Sequence, residues 1–412
     1  MGEKIMKNNK FQPILLGSDI NVYGMARSFH EEYGIVSDAY ASTALAPTKY
    51  SAIVNVHVEP GFDTDPVFIN TMRKIGKEKK KDVTYLLIAC GDGYVELVGR
   101  HKEELSEFFI CPYINEELME KLTNKVSFYS ICEQYELPYP DTYIITKDLV
   151  EKGDLKIPFS FPVALKAANS IEYLDVDFAG RKKAYVLDSL EEVKDICQKI
   201  YQCGYTSEMV CQDFIPGGDE NMRVLNAYVD QDSKVRMMCL GHPLLEDPSP
   251  ASIGNYSAIL PDFNQEIYDR IKSFLERIGY VGFANFDMKY DTRDQQYKLF
   301  EINIRQGRSS YYVTWNGYNL AKYLVEDRIM NTPFEQTTFA KSQKLWLGAP
   351  ESVLKKYAKD GADKEQALAL IAAKQCGHTL FYSKDMNLRR YILMKYAYYN
   401  YKKGFKTYFS EK

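Results

Sequence analysis

The chain has 412 residues, 45% of them hydrophobic and 26% charged, which suits about two to four packed domains and excludes a disordered or fibrous polymer. Lysine and arginine number 52 against 56 acids, a formal charge of −4 that argues against a surface built to hold nucleic acid. No apolar run reaches the roughly 18 to 20 residues that span a bilayer, and the opening MGEKIMKNNKFQPILLG is not expected to act as a signal peptide. Eight scattered cysteines (Cys90, Cys111, Cys132, Cys197, Cys203, Cys211, Cys239, Cys376) form no C-x-x-C pair, so reduced, mostly buried thiols in a cytoplasmic protein are expected. Five dispersed histidines give no zinc pattern.

Residues 11 to 115 alternate strand and helix. FQPILLGSD is an apolar run ending in glycine, NVYGMARSFHEEYG has helical spacing with Gly34 as its stop, and SAIVNVHV is β-branched. DPVFINTMRKIGKEKKK reads as a helix and VTYLLIACGDG as a buried strand. This order predicts a parallel sheet covered on both faces. The loops Gly17-Ser18-Asp19 and Gly91-Asp92-Gly93 then fall at its carboxyl edge, where such sheets bind ligands. The same glycines serve equally as plain tight turns. No G-x-G-x-x-G occurs, so a nicotinamide or flavin site is not supported.

From about Asn115 the pattern changes to helix and antiparallel hairpins, an α+β body. Its recognisable pieces are the helix around NKVSFYSIC, the strand FPVALKAAN, the strand and turn MVCQDFIPGGDEN, and the paired strands FANFDMKYD and QYKLFEINIR. The last 75 or so residues are mostly helical in pattern and end in a basic, tyrosine-rich stretch.

The strands FDMKYD and LFEINIR carry the clearest chemistry. The polar turn DTRDQQ between them predicts a hairpin that brings Asp287 beside Glu301, with Asn303 two residues on and on the same face. Two carboxylates and an amide oxygen make a hard-oxygen site for magnesium carrying phosphate. Arg305 adds a cation suited to a developing negative oxygen. Acids on a solvated hairpin face are the competing reading. Lys166 ends an apolar strand and is a candidate phosphate ligand, as is Lys125; strand-end lysines are otherwise simply solvated. In VCQDFIPGGDEN an extended segment offers backbone groups to an adenine edge, and Asp219 or Glu220 can accept from ribose hydroxyls.

In this order the pieces resemble the ATP-grasp family of carboxylate–amine ligases. The resemblance implies an α/β plus α+β chain: a Rossmann-like pre-ATP-grasp domain over 1–114, an ATP-grasp domain over 115–335 with a lid at about 155–215, and a helical extension over 336–412. It further implies that Lys125 and Lys166 bind nucleotide and that Gln212, Asp213, Phe214 and Ile215 form the adenine-holding strand. Asp287, Glu301 and Asn303 would hold magnesium, expected as two ions, and Arg305 would steady an acyl phosphate. The phosphate-covering loop departs from the family's glycine-rich pattern: AANSIEYLDVDFAGRKK has only Gly180, so Asn169 and Ser170 would have to touch phosphate. Within the family, FPVALKAAN, NSIEYLDVDFAGRKKAY and the overall length look most like the D-aspartate ligases of Gram-positive bacteria. That similarity implies ATP, D-aspartate and a peptidoglycan precursor as amine acceptor.

Chain order places Ser18, Asp19 and Asn21 on one side, and Arg308 and Ser309 on the other, as candidate contacts to the amino acid; helix caps and turns are the alternative. The tail from Lys384 to Lys412 is expected either to face an anionic membrane or the diphosphate of a nucleotide-linked precursor, or to pack its tyrosines on the body. Another amino-acid ligase with a different acceptor would use the same residues. A non-catalytic nucleotide-binding regulator is expected to lose a metal ligand or the arginine, and none is lost here.

Overall fold

The computed structural model describes residues 10–169, 172–250, 252 and 254–409. The chain divides into two compact units. The first comprises Met1–Met119, Arg223–Phe286 and Asn303–Lys412, and the second Glu120–Met222 and Asp287–Ile302.

The first unit opens with a parallel sheet of β1 (Phe11–Leu16), β2 (Ser37–Ala41), β3 (Val54–Val58) and β4 (Thr84–Ala89), ordered β3-β2-β1-β4. One strand more is present than the sequence predicts. SDAYA, between the first helix and SAIVNVHV, is a strand that pairs with β1 and β3 on either side. The chain leaves β1 to one side and returns to pair β4 on the other. Such a reversal opens a crevice at the carboxyl ends of β1 and β4. Asp19 caps the helix Ile20–Tyr33, accepting from the Asn21 and Val22 amides, and Gly34 ends it in the left-handed conformation at φ 68°.

The second unit is built on the antiparallel sheet β5 (Thr142–Ile145), β6 (Val163–Ala167), β7 (Ala184–Leu187) and β8 (Met209–Asp213), ordered β5-β8-β6-β7. Its helix Leu190–Gln202 buries Val193, Cys197, Ile200 and Tyr201 in a core shared with Leu165, Tyr185 and Met209. Burying such a row against the sheet's inner face is what holds a small layer like this together.

The remainder of the first unit carries the long strands β9 (Met222–Val229), β10 (Val235–Glu246) and β11 (Tyr256–Pro261), with β9 and β11 antiparallel to β10. The strands β12 (Gly282–Asp291) and β13 (Gln296–Asn303) follow and are neighbours in the sheet, with the stretch Asp287–Ile302 counted in the second unit. Between them Gln295 donates to the Asp291 carbonyl at φ 61°, closing the expected polar turn. Gly282, at φ 92°, passes so near the Pro112 carbonyl that a Cβ would lie 1.9 Å from it, so no other residue fits. Short strands β14 (Thr338–Phe339), β15 (Leu345–Leu347) and β16 (Cys376–Gly377) complete the sheet. The helix Leu388–Tyr408 ends the described chain and buries Phe405 beside Val353, Leu354 and Leu347. Six of the eight cysteines are buried and none is in a disulfide.

Candidate functional site

The second unit gathers a charged cluster around Lys166. Its side chain rises from the middle strand β6, registered against Val210 of β8 and Ala184 of β7. The ammonium donates to the Tyr129 hydroxyl at 2.9 Å and lies 5.5 Å from the ring centres of Tyr129 and Phe300. Burial and, after it, the Lys125 ammonium push its pKa down against the opposing Glu301 carboxylate, with a net value of about 7. The two expected phosphate lysines and one expected metal ligand are therefore electrostatic neighbours. Lys125 opens the helix Lys125–Gln134, which Asn124 caps.

Tyr129, from that helix, organises the cluster. Its hydroxyl donates to the Phe300 carbonyl at 2.7 Å and lies 3.3 Å from Oε1 of Gln212, whose Nε2 donates to Thr142 at 2.8 Å. Gln212 is buried at the end of β8. Asp213 is ion-paired with Arg293 at 2.5 Å, and Arg293 also grips Asp291 at 2.7 Å, so this carboxylate anchors the β12–β13 turn. Beyond it, the Lys289 ammonium donates to the carbonyls of Ile215 (2.8 Å) and Gly217 (2.6 Å) and sits 5.1 Å from the Phe214 ring. The segment after β8 is thus clamped in one conformation. Asp219 and Glu220 fall in a short 3-10 turn, half exposed. Asn169 is exposed and its Oδ1 accepts from the Glu172 amide, while Ser170 lies outside the described residues.

The first unit holds a second cluster at the carboxyl ends of β1 and β4. Burial raises the Asp19 carboxyl; the Val22 amide and then Arg308, the Asn21 amide and Arg305 act against that rise. Asn21 donates to the Cys90 carbonyl at 3.2 Å and Gln306 donates to Cys90 Sγ at 2.9 Å. Their remaining amide oxygens, Asn21 Oδ1 and Gln306 Oε1, are buried without a hydrogen-bond donor. Arg305 follows β13 in a bend and pairs with Asp92 at 2.7 Å, while Arg308 Nη1 donates to the Tyr401 hydroxyl at 3.2 Å. Ser18 and Ser309 differ from expectation. Ser18 donates to the Thr43 carbonyl (2.6 Å) and Ser309 is bound within Asn226 and Asn285 (3.0 and 3.2 Å), so both buried hydroxyls are engaged by the protein.

The donor chemistry fits magnesium. Asp287, Glu301 and Asn303 are half-buried. The Asn303 amide nitrogen donates to Asn285 Oδ1 at 3.1 Å, and its oxygen lies 3.5 Å from an Arg305 guanidinium nitrogen. Among the described residues no three His, Cys, Asp or Glu side chains cluster as a metal site. Carboxylate and amide oxygens are the donor type that magnesium takes alongside phosphate and water.

Three residues here are not site members in the sequence reading: Tyr129, Lys289 and Gln306; Asp92 lies in a loop expected at the ligand edge, but its pairing with Arg305 has no sequence signal. Tyr129 and Lys289 lie inside helix and strand patterns that account for them without any function. Gln306, in the quoted run EINIRQGRSS, was the one accessible signal, a polar residue buried beside the arginines.

No family model matches the chain. It is 60% identical over 415 residues to the D-aspartate ligase of Enterococcus faecium, covering 99% of each chain. Among solved structures it is similar to an L-amino acid ligase from Bacillus licheniformis, with TM-score 0.57, 16% identity, and coverage of 79% of this chain and 75% of that one. It is also similar to an N5-carboxyaminoimidazole ribonucleotide synthetase in its ADP complex, with TM-score 0.61, 15% identity, and coverage of 89% and 98%. At such identities the structures establish the fold, and it is ATP-grasp. Identity sustained over the full length carries the assignment further: this chain belongs to the D-aspartate ligase family.

Proposed function

We propose that the chain uses ATP to activate the side-chain carboxylate of D-aspartate and joins it to the lysine amine of a peptidoglycan precursor. What supports the reading is the gathering of Lys125, Lys166 and Glu301 in one unit, together with the full-length relative.

A carboxylate is a poor electrophile because its oxygen is a poor leaving group. Transfer of the γ-phosphoryl group to a carboxylate oxygen releases ADP and gives an acyl phosphate. The amine then attacks the carbonyl carbon, loses a proton, and expels phosphate as the amide forms. Such transfers ask the protein mainly for positioning and charge neutralisation. Lys166 and Lys125 face the transferred phosphates, and Gln212 to Ile215, with Asp219 and Glu220, hold the nucleoside. Asn169 and Ser170 cover the phosphates from the lid. Asp287, Glu301 and Asn303 hold magnesium, proposed as two ions, which neutralises phosphate oxygens when bound. Arg305 stabilises charge on the acyl phosphate and the tetrahedral intermediate.

Aspartate brings one ammonium and two carboxylates. The first unit offers a matching set: Asp19 with the unpartnered oxygens of Asn21 and Gln306 for the ammonium, and the guanidiniums of Arg308 and Arg305 for the carboxylates. Ser18 and Ser309 shape the walls that carry them.

Purified protein with ATP, magnesium, the precursor and an amino-acid panel containing both enantiomers of aspartate tests the proposal. Phosphate release and a product mass increased by one aspartyl residue are expected with the D enantiomer. Release with another amino acid alone would move the chain to a different ligase specificity, and nucleotide binding without ADP release would make it a regulator. Arg305→Ala should lower turnover about a hundredfold or more while ATP still binds.

A further inference from the structure

The helix Leu388–Tyr408 has two faces with different surroundings. Inward, Arg390, Met394 and Phe405 are buried, and Tyr398 meets His378 Nδ1 at 3.0 Å. This much matches the expectation that tail tyrosines pack on the body. Outward, Leu388, Tyr391, Ile392, Tyr396 and Tyr399 are 74, 44, 60, 61 and 62% exposed. Their spacing of three and four residues aligns them in one stripe along the helix.

The charges on that face are equally unusual. Several exposed cations of other helices are paired one turn away, as in Lys152–Asp148, Lys199–Asp195 and Lys355–Glu351, while single ones such as Lys74, Lys77 and Lys356 are not. From Leu388 to Tyr408 the chain has no acid at all. Arg389, Lys395, Lys402, Lys403 and Lys406 are exposed, and none forms an ion pair among the described residues. A row of aromatic and aliphatic side chains among uncompensated cations is thus presented to water on a chain whose total charge is −4.

We infer that the outer face of this helix docks the protein on an anionic lipid bilayer, lying in the plane of the interface. Tyrosine rings suit the boundary, apolar in body and polar at the tip, and lysine stems reach outward from it to the headgroups. The uncompensated cations supply attraction to an anionic leaflet. A second copy apposed through this same face would set these cations against their like, and a soluble phosphate compound would leave the stripe uncovered. No helix among the described residues is long and apolar enough to cross a membrane, so the contact is peripheral. The inference is independent of the ligase reading because its readout is lipid partition.

Co-sedimentation of the full-length protein with vesicles of phosphatidylcholine, with or without phosphatidylglycerol, tests it. The protein should pellet with the anionic vesicles at low salt, stay in solution with neutral ones, and be released as salt is raised. Lys402→Gln/Lys403→Gln/Lys406→Gln should reduce the partition coefficient about a hundredfold. Ile392→Ser/Tyr399→Ser should lower it at unchanged charge. All these side chains are exposed, and far-UV circular dichroism and ATP turnover should match the parent. Absence of binding to anionic vesicles, equal binding to neutral ones, or indifference to both variants would overturn the proposal. Self-association abolished by Ile392→Ser/Tyr399→Ser, without lipid binding, would overturn it in favour of a second copy.

Discussion

Lys166 shows how one side chain is poised by its surroundings. Burial and the nearby Lys125 ammonium both disfavour its charged form, and the pKa falls to about 7. The Tyr129 hydroxyl accepts from it at 2.9 Å, but that oxygen is neutral, and the Glu301 carboxylate only partly offsets the loss of the charged form. A bound phosphate would compensate it and raise the pKa again. The sign of the linkage follows: below pH 7 the ammonium is already present, whereas above it ATP must bind together with a proton. Affinity for ATP should therefore fall about tenfold per pH unit above 7 until the pKa of the bound state is reached. Calorimetric titration at pH 8 in two buffers of different ionisation enthalpy should show uptake of nearly one proton per ATP. Lys166→Arg keeps its charge throughout this range and should abolish the uptake. Equal proton uptake by the two proteins would remove Lys166 from the phosphate site.

At the scale of elements, the segment after β8 is held by a residue distant in sequence. Lys289 occupies the carbonyls of Ile215 and Gly217, and its own stem is buried. Lys289→Met would leave both carbonyls without their donor, at about 1–3 kcal/mol for each one that stays buried. The KM for ATP should rise at least about tenfold with kcat changed much less, and amide exchange should quicken over residues 214–217. An unchanged KM would show that the clamp does not shape the nucleotide site. The two ends of this interaction differ in how legible they were. The strand MVCQDFI and its Pro-Gly-Gly turn were readable because apolar runs and turn residues encode local geometry. Lys289 sits between buried Met288 and half-buried Tyr290, and nothing local says that its ammonium turns toward a loop. The same division separates Asp287, Glu301, Asn303 and Arg305, whose spacing on a hairpin was visible, from Asp92 and Gln306, whose partners come from other segments. β2 belongs with the second group: SDAYA is a strand because β1 and β3 flank it.

Over the whole molecule, the first unit is assembled from three chain segments, and a buried ion pair within its C-terminal segment hydrogen-bonds to its N-terminal one. Arg390 lies 3.2 Å from Asp385 and 4.1 Å from the centre of the Tyr23 ring, and its Nη1 donates to the carbonyls of Pro47 and Lys49. Asp385 in turn accepts from Tyr23, 362 residues away in sequence, and from Ser51 and the Ala52 amide. A buried pair is weak evidence of net stabilisation, because desolvation offsets its attraction, yet removing one partner strands the other. Arg390→Met keeps an apolar stem of similar length and leaves the carboxylate without its cation. The remaining donors to Asp385 place the expected loss toward the lower end of the usual range, about 3 kcal/mol. Both tryptophans, Trp315 and Trp346, belong to the first unit, so tryptophan emission excited where tyrosine does not absorb reports on that unit during urea unfolding. Asp385→Asn keeps an acceptor for Tyr23 and Ser51 while discharging the group. Added to Arg390→Met, it should therefore cost less than it does in the parent protein. Strict additivity of the two substitutions would mean that the ends are joined by packing and neutral hydrogen bonds, and that the paired charges contribute nothing to holding the C-terminal helix against the N-terminal sheet.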